Sequence, residues 1–127
     1  MEFTIIGDDD EQAPTEFPAE AAATTVALEQ TLYEEIDEPW NRGGAIGAAH
    51  GVGVVTPRGR IAWAITFSLG ASLGQEDTIA ASGVLPAQKS SMGPGVLAVT
   101  GGTGRFARVT GQVTVEVRNP KRYRFDV

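Results

Sequence analysis

The chain predicts an all-β fold, a barrel or a sandwich, and three observations predict it. From Val26 onward apolar and polar residues alternate with a period of two, the pattern of half-buried strands. Glycine- and proline-rich punctuation, such as Pro57-Arg-Gly59, separates these runs at short intervals. Only Ala19 to Ala23 has good helix propensity, and that run is too short to stand alone. With 127 residues the chain suits one domain with a real core.

The elements follow in order. Residues 1–20 carry seven acids and no base and read as a flexible acidic arm apart from a barrel domain over 21–127. Asp8 to Pro18 is charged and proline-broken, yet Phe3, Ile5, Ile6 and Phe17 are apolar enough to let the arm close over something as a lid. Val26, Leu28, Leu32 and Ile36 then alternate with Ala27, Glu29, Tyr33 and Glu35 up to Pro39. Gly43 to Thr56 sets Ile46, Ala48, His50, Val52 and Val54 against Ala45, Gly47, Ala49, Gly51 and Gly53, so much glycine marking bends or close backbone approach. Arg60 to Leu69 puts Ile61, Trp63, Ile65, Phe67 and Leu69 on one face. Gln75 to Leu85 is a weaker strand, and Gln88 to Pro94 a loop. Val96 to Thr100, Val109 to Arg118 and Lys121 to Val127 complete the series, with Val113, Val115, Val117, Tyr123 and Phe125 on their apolar faces.

Composition excludes several functions. With no cysteine, neither a disulfide framework nor a thiolate metal site can form. The formal charge of -6 belongs to the arm, because residues 21–127 hold nine acids against ten bases. A balanced body with no basic groove argues against nucleic acid. The start lacks a secretory pattern and no run approaches bilayer length, so a cytoplasmic protein without membrane contact is expected.

One motif invites a nucleotide reading. In "GVLAVTGGTGRFARVTG" a short apolar run leads into Gly102-Thr-Gly104-Arg-Phe-Ala107, which fits a dinucleotide-binding turn. Such a turn must open a helix that returns to a parallel strand. Phe106 to Val115 is instead β-branched, is broken by Gly111 and settles into strand alternation. The motif reads better as a tight reversal between antiparallel strands, with Gly101, Gly102 and Gly104 supplying positive φ and Phe106 plugging the barrel end. No cofactor and no metal are expected.

Together, "LAVTGGTGRFARVTGQVTVEV", the upstream "EDTIAASG", the closing "NPKRYRFDV" and "YEEID" (Tyr33 to Asp37) resemble the allene oxide cyclase and dirigent-like barrel family. The resemblance implies an eight-stranded antiparallel up-and-down barrel whose apolar lumen folds a flexible substrate without a cofactor. The absent cysteine and leader make the chain most similar to the bacterial members, cyclases of polyketide biosynthesis that perform [4+2] Diels–Alder reactions. Allene oxide cyclisation of a fatty-acid epoxide, or a dirigent-like barrel that binds without transforming, are the alternatives. The partner is then a small apolar molecule, with a homo-oligomer, dimer or trimer, as the assembly.

If the large faces point inward, the lumen receives Leu28, Gln30, Leu32, Glu34, Ile46, His50, Val52, Trp63, Ile65, Phe67, Val113, Val115, Tyr123 and Phe125. Leu32, Trp63, Ile65, Phe67, Val113, Val115, Tyr123 and Phe125 are the substrate-binding candidates. Gln30, Glu34, His50 and Tyr123 are the polar exceptions, of which Gln30, Glu34 and His50 are candidates to act on a substrate, and a buried glutamate would hold its proton toward neutral pH. Alternation selects Glu34, whereas the resemblance, with an acid directly before isoleucine, points to Glu35 and Asp37. A bulge would reconcile the two by switching parity, and both glutamates remain candidates. A cycloaddition needs no proton transfer; a pocket that holds the reacting ends together removes much of the entropic barrier, and a donor aimed at a carbonyl lowers it further.

Overall fold

The structure, a computed structural model, describes residues 1–9, 25–70, 77–88, 91–118 and 120–127. The strands are β1 (Glu2–Asp9), β2 (Thr25–Glu35), β3 (Arg42–Val55), β4 (Arg60–Leu69), β5 (Asp77–Gln88), β6 (Ser91–Met92), β7 (Gly95–Thr103), β8 (Gln112–Val117) and β9 (Lys121–Asp126). The order β4-β3-β2-β1-β9-β8-β7-β5 closes through β4–β5 pairing, every pair being antiparallel. The result is an eight-stranded antiparallel barrel, with β6 a short hairpin partner of β5. Closure leaves no open sheet edge to be protected. Among the described residues, no helix is long and apolar enough to cross a membrane.

The N-terminal segment supplies the eighth strand. The sequence expectation assigns residues 1–20 to an arm outside the barrel, but Glu2–Asp9 pairs on one side with β2 and on the other with β9. Phe3, Ile5 and Gly7 alternate toward the interior, and with Ile5 and Gly7 fully buried this strand is part of the core wall. The remainder of that arm and the helix-prone run Ala19 to Ala23 lie outside the described residues.

The parity of β3 reverses the sequence expectation. Ala49, Gly51, Gly53 and Val55 are buried, whereas His50, Val52 and Val54 point to solvent. The cause is the bulk of the neighbouring strand. A Cβ at Gly53 would lie 2.5 Å from Ile61 and 3.0 Å from the Trp63 ring, and one at Gly51 would lie 2.9 Å from Ile65. The large side chains of β4 occupy the space that these glycines leave, so the glycine face must be the inner one.

The core runs the length of the barrel. Leu32, Phe67, Val113, Tyr123 and Phe125 are each 0 % exposed, so no water-sized space adjoins them. Aromatic rings form a column through this interior. Phe125 stacks on Phe3 at 4.7 Å, and Phe67 meets both Phe125 and Tyr123 edge-on at 5.0 Å. These are the offset and T-shaped geometries that the ring quadrupoles favour.

Candidate active site

A cleft of about 640 Å³ opens at the barrel end formed by the start of β1, the end of β2, the start of β3 and the end of β4. Phe3, Ile5, Ile46, Leu69 and Phe106 provide its apolar surface, and Glu2, Thr4, Glu34, Glu35 and Arg105 its polar groups. The aromatic column reaches this cleft through Phe3, whose ring lies 6.1 Å from that of Phe106. Phe106 is nearly buried and belongs to the core cluster, so it does plug the barrel end, as the sequence predicts.

The glycine-rich motif builds one rim of the cleft. Gly104–Phe106 forms a single 3-10 turn between β7 and β8 rather than a tight hairpin reversal, and of its glycines Gly104 has positive φ (62°), while Gly101 and Gly102 do not. A Cβ at Gly104 would lie 2.0 Å from Asp77 Oδ1. The freed space admits the Asp77 carboxylate, which accepts the Arg105 backbone N–H at 3.1 Å and the Arg105 Nε–H at 2.6 Å. These two hydrogen bonds, backbone first, hold the Asp77 carboxyl below the usual carboxylate range. The loop therefore does cradle an anion, but the anion belongs to the chain itself. Thr78 and Thr103 join the same two strands through their hydroxyls at 2.7 Å.

The two candidate glutamates separate cleanly. Glu34 stands opposite Ile5 in the β1–β2 register and keeps the inward parity of Leu32, so alternation places it on the lumen side, exposed at the cleft rim. Glu35 falls on the outer parity, and its carboxylate is clamped by Arg122, with Nε to Oε2 at 2.6 Å and Nη2 to Oε1 at 2.9 Å. The bidentate Arg122 bond is the main reason why Glu35 stays ionised below its ordinary range; the Trp40 N–H adds to it, and burial partly opposes both. Arg122 also reaches Glu116 at 3.1 Å. Irregular β2–β3 register at Leu32 to Glu35 does not flip β2 itself, whose pairing with β1 runs unbroken through Tyr33 and Glu34.

The turn after Glu35 is strained. Trp40 has φ 70°, a left-handed conformation costing roughly 1–2 kcal/mol in an L-residue. Its N–H bond to Glu35 and the Arg118 guanidinium 4.9 Å from its ring hold it there. Glu35 thus anchors this turn and the β2–β9 wall.

The other candidates divide into two places. Gln30, Leu32, Trp63, Ile65, Phe67, Val113, Val115, Tyr123 and Phe125 lie in the packed interior, with Gln30 accepting a hydrogen bond from the Tyr123 hydroxyl. Gly7 makes room for that pair, since a Cβ there would sit 2.6 Å from each partner. His50 does not join them; it faces solvent, with Nδ1 3.9 Å from Glu29 on β2. Phe3, Leu69 and Arg105, which complete the cleft, were outside the expected set. Their signal was the alternation of Phe3, Ile5 and Gly7 and the last large residue of β4.

No protein-family model matches this sequence, and no curated protein matches it. Two solved structures are similar in fold. One is titled "Pyocyanin demethylase", with a TM-score of 0.71 and 20 % identity over 99 % of this chain and 98 % of that chain. The other is the pterocarpan synthase dirigent protein GePTS1, with a TM-score of 0.63 and 13 % identity over 98 % of this chain and 79 % of that chain. The chain folds as a dirigent-like barrel. Within this dirigent-like barrel the described residues hold no group of three or more His, Cys, Asp or Glu side chains placed for a metal ion. The cleft offers chemistry of another kind: an apolar surface, a carboxylate at Glu34 and a guanidinium at Arg105 oriented by Asp77.

Proposed function

We propose that this barrel binds a flexible, largely apolar small molecule in the cleft and folds it for an intramolecular [4+2] cyclisation without a cofactor. The observation that carries the reading is the cleft itself: about 640 Å³, with Phe3, Ile5, Ile46, Leu69 and Phe106 as its apolar surface. That volume suits one ligand of drug-like size. Holding diene and dienophile within reacting distance supplies the main part of the acceleration. A substrate carbonyl at the rim would meet the Arg105 fork, which Asp77 already orients. Neighbours whose titles name a demethylase and a synthase dirigent protein are compatible with a barrel that acts on small molecules.

A non-catalytic, dirigent-like carrier is the second reading. Its support is that Arg122 occupies Glu35 and that Asp77 engages Arg105, which leaves no free acid–base pair between those residues. Allene oxide cyclisation has less support, because no carboxylate is fully buried among the described residues and the cleft acid Glu34 stands at an exposed rim.

The test uses a linear polyene bearing a tethered enone. Loss of diene absorbance and chiral chromatography report rate and stereochemistry. Acceleration with one dominant stereoisomer, abolished by Ile46→Trp filling the cleft, is the expected result. Saturable binding with buffer rates and buffer product ratios assigns the carrier role instead.

A further inference from the structure

The aromatic column meets the cleft at Phe3. Phe67, Tyr123 and Phe125 are each 0 % exposed, whereas Phe3 is half-buried, packs against the core from its edge and lines the cleft. The fully buried rings have no water-sized space beside them, so the cleft ends where the column begins.

Strand register makes the Phe3 ring a partition. Phe3 stands directly opposite Phe125 in the β1–β9 pair, and the two rings stack at 4.7 Å with 10° between their planes. A parallel stack covers one face of each ring, so Phe3 shields Phe125 from the cleft. Phe67 then closes the Phe125 edge at 5.0 Å and carries the column on to Tyr123. Ile5 and Leu69 border the cleft as well, but at 2 % and 6 % exposure they belong to the core itself. Truncating Phe3 would join the cleft to an interior lined by Phe67, Tyr123 and Phe125, the aromatic residues that the sequence places in contact with substrate.

We infer that Phe3 is the specificity-determining residue of the cleft, setting the length of the apolar arm that a ligand can bury. The inference rests on the reading of the cleft as the ligand site. A ligand whose polar group stays at the Arg105 rim extends its apolar arm inward until it meets the Phe3 ring. Up to that point each added methylene leaves water and tightens binding by about fourfold. The next one finds a close-packed column, and must either displace a stacked ring or remain in solvent, so it gains nothing. The native cleft therefore selects short-armed substrates over long-armed ones of the same chemistry. Phe3→Ala withdraws the phenyl ring and, at equal volume, admits about four more chain carbons, while Phe3→Leu admits about two.

Titration calorimetry with 3-alkylcyclohexenones, their tails running from ethyl to decyl, tests this. In the native chain Kd should fall with each methylene and then level off at one tail length. That break should move outward by about two carbons in Phe3→Leu and about four in Phe3→Ala, whose affinity for the longest tail should exceed the native value on the order of 100-fold. With long tails both variants should also show amide shifts at Phe67 and Phe125 that the native chain lacks. Phe3→Leu keeps an apolar side chain against Phe125, so it carries the test if Phe3→Ala does not fold. Folded variants whose break stays at the native length overturn the role of Phe3 and leave the cleft as the ligand site. A native chain that binds no tail length overturns the cleft reading itself, and this inference with it.

Discussion

The inverted parity of β3 makes a sharp prediction, because two candidate arrangements require opposite results. Consider Gly53→Ala beside His50→Ala. The new methyl at Gly53 must enter space already held by Ile61 at 2.5 Å and the Trp63 ring at 3.0 Å, both in the buried core. Overpacking of this kind costs about 2–3 kcal/mol. The lower unfolded-state entropy of alanine returns about 0.5–1 kcal/mol, leaving a net loss of about 1–2.5 kcal/mol. Taking about 2.1 cal/mol/K per residue for unfolding, that lowers Tm by about 4–9 °C. His50 is exposed, and its contact with Glu29 is 3.9 Å, so His50→Ala should stay within about 0.5 kcal/mol. Thermal melts by circular dichroism at low micromolar protein separate the two. If His50→Ala lost more stability than Gly53→Ala, the glycine face would be the outer one and the packing argument would fail.

Other perturbations follow from the same contacts. Glu35→Gln breaks the bidentate bond to Arg122, whose two side chains are mostly buried at 12 % and 16 % exposure, and should cost on the order of 1–3 kcal/mol in urea denaturation. Because the folded state lowers the Glu35 pKa, its share of stability is present above its ordinary value of 4.5 and is lost as pH falls through the folded value. Native and Glu35→Gln stabilities should therefore converge in acid, and a gap that widened there would contradict the assignment. Gly7→Ala intrudes on the Gln30–Tyr123 pair and should destabilise by about 2–4 kcal/mol, read in the same assay. Gly44→Ala, with nothing within 4 Å of its new methyl, should leave Tm unchanged or slightly raised.

Much of the barrel was legible because a closed sheet writes its parity into the sequence. The runs in β2, β4, β8 and β9 alternate strictly, and their inner faces were read correctly as far as Phe67, Val115 and Tyr123. β3 misled because alternation identifies two faces without naming the inner one. Side-chain size does not name it either, because glycine becomes the inner residue where a neighbouring strand brings indole and isoleucine side chains across. β1 misled for a different reason. Its apolar residues precede a dense acidic run, and average charge concealed a strand whose partners, β2 and β9, are distant in sequence. The glutamates show what local pattern can achieve: alternation identified Glu34 as the lumen-side acid, while only the three-dimensional pairing with Arg122, 87 residues away, explains Glu35.

The glycine motif acquires a physical role in the same way. Spacing alone suggested a phosphate cradle, and the following residues argued for a turn. The folded chain supplies the missing partner, Asp77 from "EDTIAASG", so two of the stretches that carry the family resemblance meet at one rim of the cleft.

The claim that the cleft is the ligand site is tested most directly by amide NMR titration of the native chain with an apolar enone. The account predicts saturable shifts centred on Phe3, Ile5, Glu34, Ile46, Arg105 and Phe106, lost in Ile46→Trp. Shifts centred instead on the outer valines or at the opposite barrel end, unchanged by Ile46→Trp, would contradict it.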